Sequence, residues 1–175
     1  MEPTGGRVVS RELNTRLSSG AYSLSFPEQL SPSEGGGAVD KYVQQGVSGA
    51  SPEQSPFRRR IDLWALGLAI AVAEQLPPYE GKLRKFVDTK AVDVPDQVAA
   101  LMFVTAVAKL GQHDEDLNDT GNVVRLCNQY AASGVFKVVE WFDSRQMLAT
   151  PLQTALDQAR ELRHNTAERL VGAAH

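Results

Sequence analysis

The chain has 175 residues, 42% of them hydrophobic, and a formal net charge of −3. One domain is the expectation, and the acidic balance excludes a whole-protein basic surface of the kind that dominates non-specific nucleic-acid binding, while leaving a local basic patch open. A single cysteine, Cys127, excludes an internal disulfide framework and fits a reducing compartment; with no apolar signal core in MEPTGGRVVSRELN, a soluble cytoplasmic protein without a membrane span is expected.

Residues 1–56 hold most of the Gly, Ser and Pro, including Gly35-Gly36-Gly37, and few large apolar side chains. Such a stretch buries too little surface to offset its ordering entropy, so an irregular N-terminal arm is expected, either floppy or ordered against a partner or a second copy. Two islands interrupt it. Ala21 to Phe26 alternates small or polar residues with Tyr, Leu and Phe, as a half-buried strand or docked extended segment does, and Ala38 to Val47 suits a short helix ending at Gly46.

Pro56-Phe57-Arg58-Arg59-Arg60 introduces the central element, Ile61 to Leu76. Leu63 to Ala73 are eleven apolar positions in a row, too few for a bilayer, which needs ~20. This spacing predicts a helix buried on nearly every side and wrapped by other helices. Gly67 inside it costs ~1 kcal/mol against alanine and signals another helix crossing closely.

Pro77-Pro78 ends that helix, and Tyr79 to Val87 reads as a connector with a helical turn. Asp93-Val94-Pro95 opens a second, largely buried helix that runs to Gly111. After the polar loop Gln112 to Gly121, two shorter helices are expected, Asn122 to Ala132 and Val135 to Phe142, with Gly134 reversing the chain between them. Thr150-Pro151 starts a last helix to about Leu170, striped by Leu152, Ala155, Leu156, Ala159, Leu162 and Leu170, for self-packing or a coiled-coil seam. The expected fold is all-α: a compact bundle of about five helices around a buried central helix over residues 57–175, preceded by the 1–56 arm, with no pattern that suggests a sheet.

Few constellations carry chemistry. Arg58, Arg59 and Arg60 with Lys82, Arg84 and Lys85 form the only basic concentration, suited to phosphate contacts at a helix start, to an acidic partner surface, or simply to pairing with Asp62, Glu80 or Asp88. Three positive charges there oppose the helix dipole. His113-Asp114-Glu115-Asp116 with Asn118 and Asp119 supplies oxygen ligands but lacks the alternate spacing, central glycine and terminal glutamate of a calcium loop, so no metal is expected. Cys127 lies on an apolar helix face, Trp64 and Trp141 fall on buried stretches, and His113, His164 and His175 are scattered. No catalytic residue and no cofactor follow from these.

Pro56-Phe57, the basic residues, and Ile61-Asp62-Leu63-Trp64 leading an Ala/Gly/Leu helix resemble the "PF…kDl…faaalG" opening of small accessory proteins encoded beside bacterial DNA phosphorothioation genes, the Dnd system-associated proteins of antiphage defence loci. Asn128-Gln129-Tyr130-Ala131-Ala132-Ser133-Gly134, followed by Glu140-Trp141-Phe142, is similar to that family's "eeYAngGl…l.ewl" close. The likeness covers about residues 55–145; the long arm and the last helix depart from it. It implies a non-enzymatic accessory subunit of a defence complex, acting beside a larger nuclease or ATPase, and carries over no catalytic residues. The alternative, from the residues alone, is a small DNA-binding regulator using the arginine patch. A homo-oligomer is compatible with either.

Overall fold

The computed structural model of the protein describes residues 5–31, 37–44, 55–92, 94–110 and 117–144, with side chains from Glu12 onward. The chain divides into two compact units, Met1–Val139 and Glu140–His175. The first holds nearly all of the described residues. Its elements, in order, are helix α1 (Gly5–Ser19), strand β1 (Ser23–Pro27), helix α2 (Arg60–Ala73), strand β2 (Leu83–Asp88), helix α3 (Asp96–Leu110) and helix α4 (Thr120–Asp143), which runs on past the boundary between the units. Short 3-10 turns at Glu28–Leu30, Asp40–Tyr42 and Thr89–Ala91 join them.

The protein is mainly helical, but it is not all-α. The residues read as a connector after Pro77-Pro78 form β2, and β2 pairs antiparallel with β1. Of the two forms that the alternation in Ala21 to Phe26 suits, strand or docked extended segment, Ser23–Pro27 takes the strand, and it is buried from Leu24 onward rather than on one face. β2 lacked that signal because its burial follows no period of two: Arg84 and Lys85 are both exposed, while Phe86, Val87 and Asp88 are all half-buried. A register shift between Leu24 and Ser25 explains this, since a bulge residue breaks the in-out alternation.

The stretch 1–56 also differs from the expected irregular arm. Its described parts hold α1 and β1, and Leu13, Leu17, Leu24, Phe26, Leu30, Val39, Tyr42 and Val43 are buried. Leu13 and Leu17, one helical turn apart, seat α1 in the core. The last turn of a helix leaves carbonyls without partners; here Thr89, completely buried, donates its hydroxyl to the Leu17 carbonyl at 2.8 Å. Asn14 reaches Asp96 on α3 at 2.8 Å. The short helix expected over Ala38 to Val47 is a single 3-10 turn, after which Val43 bridges Phe57 in parallel; residues 45–47 lie outside the described residues.

α2 ends at Ala73, short of Leu76. The chain closes it with Gln75 at φ 53°, whose N–H reaches the Val72 carbonyl while that of Leu76 reaches Ala71 at 2.9 Å. This is the left-handed stop that glycine usually supplies. Ile61, Leu63, Trp64, Gly67, Leu68 and Ala71 are buried, whereas Ala65, Leu66, Ala69 and Ile70 are half-buried, so burial falls short of the full circle. α3 likewise buries one face through Val98, Ala99, Met102, Thr105 and Ala106 and leaves Val104 59% exposed.

α4 replaces the two expected helices. Asp119 caps it, its carboxylate accepting the Asn122 amide at 3.1 Å, and the helix passes straight through Gly134. Gly134 does not reverse the chain; it lets α4 cross α2 at Gly67, the close crossing that Gly67 predicts. The helix expected from Thr150-Pro151 and most of the acidic loop lie outside the described residues, as do His113, His164 and His175.

Candidate interaction surface

Among the described residues the positive charge gathers at β2. Residues 82–90, KLRKFVDTK, hold four cations and one acid, +3 by difference, in a chain of net −3. Lys82, Arg84, Lys85 and Lys90 are all exposed. Of these, Lys85 reaches the Asp88 carboxylate at 2.8 Å, and Ser23 on β1 donates to the same carboxylate at 2.9 Å. The Lys85 bond first, then the Ser23 hydroxyl, holds Asp88 below its ordinary 3.8. Lys90 was not among the expected site residues; the turn after β2 brings it in, against a recess it shares with Ser23, Lys85 and Asp88.

The three arginines at the start of α2 have separate fates. Asp62 accepts both the backbone N–H and the guanidinium of Arg59, each at 2.9 Å, as the carboxylate of a capping box does. Arg60 is paired with Asp40 at 2.9 Å, both side chains half-buried. Arg58 is exposed and carries no ion pair among the described residues. The objection from the helix dipole is thus met by two carboxylates, and of the three arginines Arg58 is the one without an ion pair among the described residues. Asp40 is a partner that sequence spacing does not reveal, since it stands twenty residues before Arg60 and reaches it only through the Val43–Phe57 bridge.

The fold brings the two basic segments to one place in part. A cleft of about 170 Å³ is lined by Arg59, Arg60, Ile61, Phe86, Val87 and Val92, so the start of α2 meets β2 across it. Lys82 and Arg84 do not line it. Phe86 stacks on buried Phe26 with ring centroids 4.2 Å apart, which ties β2 to the core.

Behind the sheet, Asn128 on α4 holds β1 in place. Its Oδ1 accepts the Ser25 amide at 3.0 Å and the Trp64 indole N–H at 3.2 Å, and its Nδ2 donates to the Ser23 carbonyl at 2.9 Å. One asparagine amide so replaces a neighbouring strand. Its signal in the sequence is a polar residue on the apolar face of Val124, Cys127 and Ala131. Cys127 is buried and donates to the Met102 carbonyl; burial pushes its thiol up to about 12, so it is not a thiolate at neutral pH. No cluster of three or more His, Cys, Asp or Glu side chains is assembled among the described residues.

Fold and surface together define a mainly helical unit whose small sheet presents a basic outer strand. No described helix is long and apolar enough to cross a membrane. Compared with known proteins, the chain matches no family model, no curated protein and no solved structure.

Proposed function

We propose that this chain is a non-catalytic interaction subunit of a bacterial antiphage defence complex, gripping a larger nuclease or ATPase partner. The observation that carries the reading is the basic surface of β2, where Lys82, Arg84 and Lys90 stand exposed with no ion pair among the described residues in a chain of net negative charge. The defence setting rests on the resemblance of residues 55–145 to the Dnd system-associated accessory proteins. Exposed Val104, beside half-buried Leu101 and Val107 on α3, is a further apolar contact available to a partner. Co-expression with its chromosomal neighbours, followed by size-exclusion chromatography with light scattering, tests the reading. A stoichiometric complex weakened by Lys82→Ala with Arg84→Ala is the expected result; a lone monomer or dimer that retains no neighbour overturns it.

A second reading, a DNA-binding regulator, is favoured by exposed Arg58 and the same strand. Four cations without an ion pair among the described residues, Arg58, Lys82, Arg84 and Lys90, predict a slope of log affinity against log salt of about −4. The pairing of Arg59 and Arg60 with carboxylates weighs toward the protein partner, because it leaves few cations for phosphates. Salt-insensitive or absent binding to duplex DNA removes the second reading.

A further inference from the structure

β2 has two edges and β1 takes only one. The ladder is closed at its ends by the Thr89 amide on the Tyr22 carbonyl and the Glu28 amide on the Lys82 carbonyl, both at 2.9 Å. Antiparallel pairs alternate between those that exchange main-chain hydrogen bonds and those that turn N–H and C=O outward. Counting from the two closed ends, Leu24 and Phe26 bond to β2, and Ser23 and Ser25 point away from it. The Asn128 bonds to the Ser23 carbonyl and the Ser25 amide confirm that parity. Opposite Ser23, Ser25 and Pro27 stand Asp88, Lys85 and Leu83, so the main-chain groups of these three face away from β1. Among the described residues no backbone group pairs with them.

We propose that this free edge of β2 is a docking site for an extended acidic segment of a partner protein, with carboxylate and apolar residues alternating, added to the sheet as a third strand. Strand addition draws affinity from main-chain hydrogen bonds and selectivity from recesses for alternate side chains. Both recesses adjoin β2. The cleft of about 170 Å³ offers Ile61, Phe86, Val87 and Val92 to an apolar side chain. The open recess offers the Lys90 cation to a carboxylate, beside Lys85, which the Asp88 carboxylate of the same recess already engages. Lysine on an open edge also repels a second copy of the same edge, which disfavours self-pairing and leaves an acidic strand as the complementary guest. This proposal names the partner's chemistry within the interaction-subunit reading and rests on it.

The test is amide hydrogen exchange on the intact chain, alone and with a capped peptide of about eight residues alternating glutamate with valine. In the free protein the amides of Leu83, Lys85 and Asp88 should exchange fast, while Arg84 and Val87, bonded to β1, exchange slowly. The peptide should slow the outward-facing set by about tenfold or more and leave the inward-facing set unchanged. Arg84→Glu with Lys85→Glu should abolish that protection and transfer it to a lysine–valine peptide. Slow exchange of the three amides in the free chain means that the edge is already occupied, and it overturns the proposal. So does the absence of protection at saturating peptide. Salt-sensitive binding of duplex DNA without protection of those amides sends the surface to phosphate instead. A neighbour that co-purifies while these amides stay unprotected leaves the subunit reading standing and removes strand addition alone.

Discussion

Gly134 on α4 lies directly against Gly67 on α2: a Cβ built on Gly134 would stand 1.8 Å from the Gly67 carbonyl oxygen and 2.6 Å from its carbonyl carbon. The obstacle is backbone, so no rotamer change relieves it and the helices must move apart. Overpacking of this kind costs about 1–3 kcal/mol or more, against which alanine returns ~1 kcal/mol of helix propensity. Gly134→Ala is expected to destabilise the fold by about 2 kcal/mol net, read as a lowered urea midpoint with an unchanged slope. An unchanged midpoint would show that the helices do not cross here.

Asn128 joins two buried partners and the half-buried Ser23 carbonyl, from two elements, so its loss leaves the Ser25 amide, the Ser23 carbonyl and the Trp64 indole unsatisfied together. Each unpaired buried group costs roughly 1–3 kcal/mol. Asn128→Leu, close in size, is expected to lose about 3 kcal/mol or more in chemical denaturation and to speed exchange of the Ser25 amide. The Trp64 emission should shift with it. A loss below about 1 kcal/mol would show that the amide does not hold the sheet.

Thr89 links the first helix to the strand region through its bond to the Leu17 carbonyl. Thr89→Val keeps the shape and removes only the hydroxyl, with an expected cost of about 1–2 kcal/mol. Thr89→Ser restores the donor and should recover most of it. Amides in the last turn of α1 should exchange faster in the valine variant alone. If they do not, α1 is seated by Leu13 and Leu17 without help from this bond.

Gln75 occupies a left-handed conformation at φ 53° that ends α2, and it is exposed. A side chain there carries strain of roughly 1 kcal/mol that glycine avoids, partly offset by glycine's greater freedom when unfolded. Gln75→Gly is expected to raise stability by about 0.5 kcal/mol, seen as a small rise in Tm. Gln75→Val should lower it, since a β-branched residue fits that conformation worst.

Cys127 should resist thiol reagents at neutral pH in the folded protein and react at once in denaturant. Its folded value, about 12, lies above the ordinary 9.0, because burial disfavours the thiolate. The stabilisation linked to this raised value is full below pH 9.0 and is lost as pH rises toward 12. Comparing denaturation midpoints near pH 8 and about pH 10, Cys127→Ala should lose less stability on the alkaline step than the parent chain. Equal losses would assign the alkaline sensitivity to other groups.

Local pattern settled much of this protein by itself. The run Leu63 to Ala73 is a helix because its residues favour one, although it stops at Gln75 before Pro77-Pro78 are reached; Val98 to Leu110 and the face of Val123, Cys127 and Tyr130 are helical by period. Alternation in Ala21 to Phe26 marked an extended segment, strand or docked. Tertiary contact decided the rest. Composition makes residues 1–56 look unable to fold alone, yet Leu13 and Leu17 find a core built by residues far along the chain, and the Thr89 hydroxyl closes the helix they seat. β2 is a strand because β1 offers a ladder, not because KLRKFVD alternates. Gly134 reads as a turn residue until Gly67 stands opposite, when close approach becomes the reason for its missing side chain. The basic patch was legible as charge; which arginines remain available was not, because Asp40 meets Arg60 only where Val43 stands beside Phe57.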